Sequence, residues 1–304
     1  MESVLRSHTL APVLSLSLAR ADWLHSRLRR RVLRTFPFSQ LRARDYRKRL
    51  AAFSRPAAEL APEAKICSLF SAAGALMLAQ EDMSLLFGTD LMPLCDHARA
   101  ILLQGPRFVL ENEMALAACP NFYRLGLSRA ILDLAEACLG LDCLYLGATL
   151  KRERADGRVS GTRQWHLDIE DEKLFRILLY LAPVAPEDGP FEFFPRTISQ
   201  AIRTALHYRG GYIDDRRMAS VAPMGLLQQC TGKAGDAVIF DGAGVFHRGG
   251  TPLGEDRYSI TFAYCSRRPL ELRSSARLPQ PLHEHFLSSL SERQRRAIPP
   301  PRPF

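Results

Sequence analysis

Along the first half of the chain, apolar residues recur at spacings of three and four, the period of an amphipathic helix. Beyond Gly140 they gather in short runs between turn residues, the texture of strands. Residues 1–55 read as a helical arm with Leu14, Leu18, Leu24, Leu28 and Val32 on one side, interrupted at Pro37 and Pro56. The run from Leu10 to Ala21, ending Ala19-Arg20-Ala21, also has the form of a signal or transit segment; the amphipathic helix is the preferred reading of the two. Residues 56–140, rich in Ala, Leu and Met with turns at Gly88, Pro93 and Gly105-Pro106, predict a helical layer whose last helix, Leu125 to Leu139, is closed by Gly140.

The strand runs are Leu141 to Lys151, Arg163 to Asp168, Leu174 to Ala182, Phe191 to Phe194, Leu226 to Cys230, Ala234 to Asp241 and Arg257 to Cys265. Many short strands at this spacing predict an α+β chain, with a jelly-roll core over 141–270 flanked by the N-terminal helices. Residues 195–225 break the strand rhythm with a helical piece, Ile198 to Leu206, and a polar stretch, Arg209 to Arg217, and so predict a lid. Residues 271–304 predict a terminal helix and then an extended, mobile tail, Pro-Pro-Pro-Arg-Pro-Phe.

Composition narrows the picture. A hydrophobic fraction of 47% excludes a wholly disordered chain, and no apolar run is long enough to span a membrane. The net charge of +9 is unevenly placed: residues 1–55 carry 13 Lys or Arg against 3 acids, and 257–304 carry 9 against 3, whereas 56–256 carry 19 against 26. The part that bears the chemistry is therefore mildly acidic, which argues against a general polyanion-binding surface. Seven cysteines without a C-x-x-C pair suggest neither a disulfide framework nor a zinc ribbon, and read as small buried apolar residues in a reducing cytoplasm.

Candidate chemistry begins at Gln164-Trp165-His166-Leu167-Asp168. On a strand, residues two apart leave the same face, so His166 and Asp168 can bind one ion together. An H-x-D triplet alone is common. A second element, Gly235-Asp236-Ala237-Val238-Ile239-Phe240 followed by Asp241-Gly242, delivers His247 at a loop mouth. Two imidazoles and one carboxylate on one side of an ion form the facial triad of non-haem iron oxygenases, which leaves open positions for a bidentate 2-oxo acid and dioxygen. Third, Arg257 opens the final strand ten residues after His247. Its planar guanidinium can hold a distal carboxylate by two parallel hydrogen bonds, and Ser259 on the same face can add another.

Over residues 141 to about 269 this order of motifs resembles the phytanoyl-CoA dioxygenase branch of the iron(II)/2-oxoglutarate oxygenases. The resemblance runs through Trp165-His166, Asp168, Leu178 to Val184, Glu187-Asp188-Gly189-Pro190 and Pro195, then Gly235-Asp236, His247 and Arg257. It implies a double-stranded β-helix, Fe(II) with 2-oxoglutarate and O2, ascorbate as a reductant, and hydroxylation of a small organic molecule. The family often carries Pro-Gly-Ser-His where this chain has Pro195-Arg196-Thr197, a departure at the entrance rather than at the metal. Related halogenases replace the carboxylate with Gly or Ala, so Asp168 favours hydroxylation or desaturation.

Trp165 and Tyr180 are candidates to line the cosubstrate pocket, although aromatic strand residues are more often core. Thr149 and Lys151 could reach the keto-acid end. His207, His283 and His285 lack partners at useful spacing and read as solvated. Two rival functions stand beside the oxygenase: a jelly-roll metal-binding or sensor protein without turnover, and a nucleic-acid demethylase docking through the basic arm. The Arg29-Arg30-Arg31 run has no interleaved aromatics, which argues against the demethylase.

Overall fold

A computed structural model describes residue 28 and residues 31–33, 35–53 and 61–302. Leu14, Leu18, Leu24, Arg29, Arg30, Pro56 and the stretch read as a targeting segment lie outside those residues. In chain order the elements are α1 (Phe38–Ala52), α2 (Ala61–Ala73), β1 (Ala75–Leu78), α3 (Gln80–Phe87), α4 (Met92–Gln104), β2 (Val109–Glu111), α5 (Glu113–Ala118), α6 (Pro120–Leu125) and α7 (Arg129–Leu139). There follow β3 (Cys143–Glu153), β4 (Phe175–Tyr180), β5 (Phe191–Phe193), α8 (Arg196–Ala205), α9 (Asp215–Ala219), β6 (Gln228–Cys230), β7 (Ala237–Phe240), β8 (His247–Gly249), β9 (Arg257–Ser266), α10 (Gln280–Ser288) and α11 (Glu292–Ala297). No helix among the described residues is long and apolar enough to cross a membrane.

The strands form two antiparallel sheets, one ordered β1-β7-β4-β9-β3-β2 and the other β6-β5-β8. Period-two alternation assigns each strand residue to a face. Along β9, Tyr258, Ile260, Phe262 and Tyr264 join the apolar cluster under the helices, while Arg257, Ser259, Thr261 and Ala263 face a cavity on the other side. Along β7, Ala237 and Ile239 join the helical cluster, whereas Val238 and Phe240 pack with Phe191, Phe193 and Val245. In β3 the register shifts between Tyr145 and Gly147. This bulge keeps Tyr145 and Ala148 on the greasy face despite their odd spacing, and turns Thr149 and Lys151 toward the cavity. Gly147 has φ +99°, and a Cβ there would fall 2.2 Å from Asn112 Oδ1, so the bulge requires glycine.

On the greasy face, α7 buries Ile131, Leu132, Leu134, Ala135, Cys138 and Leu139. Burial of each large aliphatic side chain contributes about 1.5–3 kcal/mol. Ser128 caps its N-terminus by accepting from Ile131 N, and Gly140, left-handed at φ +71°, closes it.

The structure corrects several sequence expectations. The helix expected over Leu125 to Leu139 is α7, which starts later, at Arg129; α6 ends at Leu125 and the chain turns at Gly126, where a Cβ would fall 2.6 Å from the Tyr145 ring and whose carbonyl accepts from Tyr264 Oη at 2.7 Å. The region read as helical also supplies β1 and β2, at the two edges of the large sheet. Arg163 to Asp168 is not a regular strand: a short 3-10 turn, Gly161–Arg163, leads into isolated bridges, because Trp165 pairs with Ile213 and His166 with His247. The tail is extended but docked: Ile298 is buried and Arg302 N donates to Leu278 O. His283 is buried, with Nε2 3.1 Å from Pro299 O, while His207 and His285 are exposed as expected.

Candidate metal centre

The two histidines are placed by backbone pairing. His166 N donates to His247 O at 3.1 Å and His247 N to His166 O at 3.2 Å, so the residues face one another across a single bridge with ring centroids 4.4 Å apart. Each imidazole is then turned by its own chain: Nδ1 lies 2.9 Å from Gln164 O in His166 and 3.0 Å from Val245 O in His247. A carbonyl can only accept, so Nδ1 carries the proton in both rings, which in the neutral tautomer leaves Nε2 a lone pair for a metal. Those Nε2 atoms point at Asp168, 3.7 Å from Oδ1 for His166 and 3.9 Å from Oδ2 for His247. One ligand atom from each of the three residues lies within 4.8 Å of the others.

Asp168 is anchored through its amide, which donates to Gly242 O at 2.8 Å. A Cβ on Gly242 would fall 2.0 Å from Asp168 Oδ2, so glycine leaves the space the carboxylate occupies. Electrostatics prepare the ligands in the same sense. Burial pushes the Asp168 carboxyl up, but Arg176 and then the two imidazoles outweigh it and hold the acid well below the usual carboxylate range. Burial, reinforced by His166, draws His247 down to about 3 against the opposing pull of Asp168. At neutral pH the centre therefore presents a carboxylate and an uncharged imidazole, the forms that bind metal.

Whether these residues fit an ion can be judged from Asp168 Oδ2, which is buried without a hydrogen-bond partner. Arg176 Nε lies 2.6 Å away as an ion pair, yet neither atom is aligned for a hydrogen bond. A buried carboxylate oxygen without a hydrogen bond, beside two imidazole Nε2 atoms, fits a divalent cation. Arg176 escaped the sequence reading; its signal was one arginine inside the apolar run Phe175-Arg176-Ile177-Leu178-Leu179-Tyr180.

The centre lies at one side of a cavity of about 600 Å³, which Arg257, Ser259, Thr149 and Lys151 also line. Arg257 is buried; its Nη1 donates to Gly250 O at 3.2 Å, Nη2 is 3.9 Å from Glu153 Oε1, and Nε has no hydrogen-bond partner. Burial draws its pKa below the usual guanidinium value, with Tyr180 and Glu153 opposing. Gly249 makes the approach possible, since a Cβ there would fall 2.3 Å from Arg257 Nη2. Glu153 also pairs with Lys151 and, at 2.9 Å, with Arg163, so three cations surround one acid and a further anion would be welcome.

Trp165 and Tyr180 do not line the cavity. Trp165 is buried in the cluster beneath the insertion, its Nε1 donating to Asp215 and its ring stacked under Arg248 at 4.4 Å. Tyr180 donates to Cys230 O and accepts from Phe191 N. The insertion does bring an aromatic to the centre: Tyr212 lies edge-on to His166, centroids 5.3 Å apart, and lines the mouth.

No protein-family model matches the chain, and no curated protein matches it significantly. Among solved structures it is similar to EctD from S. alaskensis with 2-oxoglutarate and 5-hydroxyectoine, at 18% identity over 67% of this chain and 76% of that one, TM-score 0.47. It is also similar to SnoN, a non-heme alpha ketoglutarate dependent epimerase from nogalamycin biosynthesis, at 15% identity over 68% and 82%, TM-score 0.46. A third is HygX from Streptomyces hygroscopicus with nickel and 2-oxoglutarate bound, at 17% identity over 66% and 85%, TM-score 0.46.

Proposed function

We propose that this chain is a non-haem iron(II), 2-oxoglutarate-dependent dioxygenase of the phytanoyl-CoA dioxygenase-like branch, with a double-stranded β-helix core, that hydroxylates a C–H bond of a small organic molecule. The observation that carries this reading is the convergence, in one cavity, of two Nδ1-protonated imidazoles, an orphaned buried carboxylate oxygen and a buried guanidinium with an unpaired Nε. His166, Asp168 and His247 would hold the metal, and Arg257 with Ser259 the distal carboxylate of the oxo acid. When bound, iron and 2-oxoglutarate supply the oxidising chemistry with dioxygen, releasing succinate and carbon dioxide.

The chain's own residues supply position and charge. The His166–His247 backbone bridge holds the two imidazoles together beside Asp168, where they would hold the metal with the cavity beside it for the oxo acid and substrate. Arg176 holds Asp168 ionised at the pH of turnover. Ser259 follows Arg257 on the same face of β9, so the two reach one carboxylate group together. Tyr212 on the insertion narrows the mouth above His166 and would meet the substrate.

The test is succinate formation from 2-oxoglutarate with iron(II) and ascorbate, comparing wild type with His166→Ala and Arg257→Ala. Iron-dependent turnover in the wild type, absent from the first variant and reduced about 10- to 100-fold in the second, is expected; a hydrogen-bonded charge contributes about 1.5–3 kcal/mol. A wild type that binds neither iron nor 2-oxoglutarate overturns the reading. One that binds both and yields no succinate makes the chain a metal-binding sensor.

A further inference from the structure

Two of the seven cysteines meet on the helical side of the molecule, away from the metal centre. Cys67 lies in α2 and Cys138 in α7, 71 residues apart in sequence, and their Sγ atoms are 2.6 Å apart. Non-bonded heavy atoms pack at roughly 3.5–4.0 Å, and a disulfide bond spans about 2.05 Å. The fold thus holds two thiols face to face, closer than ordinary packing, and a bond between them requires only a small further approach. We propose that Cys67 and Cys138 are a redox modification site, which closes to an intramolecular disulfide when the protein meets a peroxide.

Exposure orders the steps. Cys138 is 2% exposed, while Cys67 is only partly buried, so the oxidant reaches Cys67 first. The Cys67 sulfur, as thiolate, attacks one peroxide oxygen and the O–O bond breaks; the departing hydroxide takes up the proton the thiol released, leaving as water, and Cys67 becomes a sulfenic acid. Cys138 sulfur then attacks the Cys67 sulfur, the S–O bond breaks, and the departing hydroxyl leaves as a second water with the Cys138 proton. One peroxide is reduced to two waters while two thiols are oxidised to one disulfide.

The surroundings bear on this pair and on four of the other thiols. The half-buried Lys173 amine donates to Cys138 O; burial draws its pKa below the ordinary lysine value, and Asp241 and the sulfurs of Cys138 and Cys67 oppose that shift by favouring its charged form. Burial pushes the thiols of Cys95 and Cys230 up to about 12 and that of Cys119 up to about 11, and holds Cys265 well above its ordinary value, which leaves them poor nucleophiles. The link would also have structural reach. The carbonyls of Phe70 and Ser71, next along α2, accept from Arg196 at the start of α8, so tying α2 to α7 restrains the element that opens the insertion.

The experiment treats the full-length reduced protein with hydrogen peroxide, blocks remaining thiols at low pH and maps peptides with and without dithiothreitol. The expected result is an intact mass about 2 Da lower, the loss of two hydrogens on disulfide formation. It should come with a dithiothreitol-sensitive linked peptide joining Cys67 to Cys138. Cys138→Ser should abolish the link and trap Cys67 as a dimedone-reactive sulfenic acid. The inference is overturned if Cys67 accumulates as sulfenic or sulfinic acid in the wild type without a link, if other cysteines pair instead, or if both thiols stay fully alkylatable. Because the wild-type protein gives the primary readout, poor folding of a variant does not blunt the test.

Discussion

At the candidate metal side of the cavity each of the three residues is fixed by main chain: His166 and His247 by their mutual bridge, their rings by the carbonyls of Gln164 and Val245, and Asp168 by Gly242 O. The mouth is held differently. Gly210 and Gly211 adopt φ +134° and +93° with no atom within 4 Å of a would-be Cβ, and Tyr212, next in sequence, is 52% exposed although it reaches His166. That loop is tied by Tyr208 Oη donating to Gly211 O and by the pairing of Ile213 with Trp165. One side of the cavity is held by main-chain contacts at each candidate ligand, and the other has open space around Gly210 and Gly211. On the proposed function, that division would separate oxidant from substrate.

The strongest way to break that comparison is at Gly242. Gly242→Ala places a methyl 2.0 Å from Asp168 Oδ2, so the carboxylate must leave its position. Iron(II) affinity by titration should fall roughly 100-fold or more, since even outer partners of metal ligands cost about 10- to 100-fold. The circular dichroism spectrum should be unchanged. Retained affinity would show that the metal side adapts, and the contrast would collapse.

Arg176 comes next. Removing one partner of a buried ion pair leaves an uncompensated charge, at a cost of about 3–5 kcal/mol. Arg176→Met should therefore lower the metal-free unfolding free energy by that order, and added iron(II) should restore more stability to the variant than it adds to the wild type. Equal metal-induced shifts in thermal midpoint would show that Arg176 is not coupled to Asp168.

A smaller effect appears in pH. The His247 pKa falls from 6.5 to about 3 on folding because burial and His166 disfavour its charged form. Below pH 6.5 the unfolded chain takes up a proton that the folded chain refuses, so stability is lost as pH falls across that window, by up to about 1.4 kcal/mol per unit. Urea midpoints of the metal-free protein between pH 7.5 and 5 should fall more steeply for wild type than for His247→Asn. Parallel curves would place the titration elsewhere.

The same contrast explains what was legible in the sequence. His166 with Asp168 and Arg257 with Ser259 were legible because each pair stands two residues apart, whereas their meeting with His247 in one cavity depends on the long-range bridge between the two histidines. What escaped depends on distant chain. Ala75-Leu76-Met77-Leu78 has the composition of a helix and becomes β1 only because β7 offers it a ladder, with Ala75 opposite Phe240. The H-x-D segment is irregular because its backbone divides its pairing between Ile213 and His247, partners that no local pattern announces. Trp165 was a reasonable pocket candidate by chemistry, but Asp215 and Arg248, 50 and 83 positions away, draw it into the floor of the insertion. Tyr212 carried no signal beyond its place in a polar stretch.

Tyr212 gives the smallest and most discriminating prediction. Its phenol lies on the mouth side of His166, edge-on to a ring whose position is already set by Gln164 O and the His247 bridge. Tyr212→Ala should leave iron affinity, 2-oxoglutarate affinity and substrate-free succinate formation within about twofold of wild type, because none of the fixing contacts is lost; surface changes of this kind usually stay within about 0.5 kcal/mol. A substrate that stacks on the ring should lose about 1 kcal/mol of aromatic contact, roughly a fivefold rise in KM, with a larger share of turnover uncoupled from product. Parallel measurement of succinate and hydroxylated product separates the two effects. If succinate formation without substrate falls together with product, Tyr212 supports His166 directly, and the mouth belongs to the metal side after all.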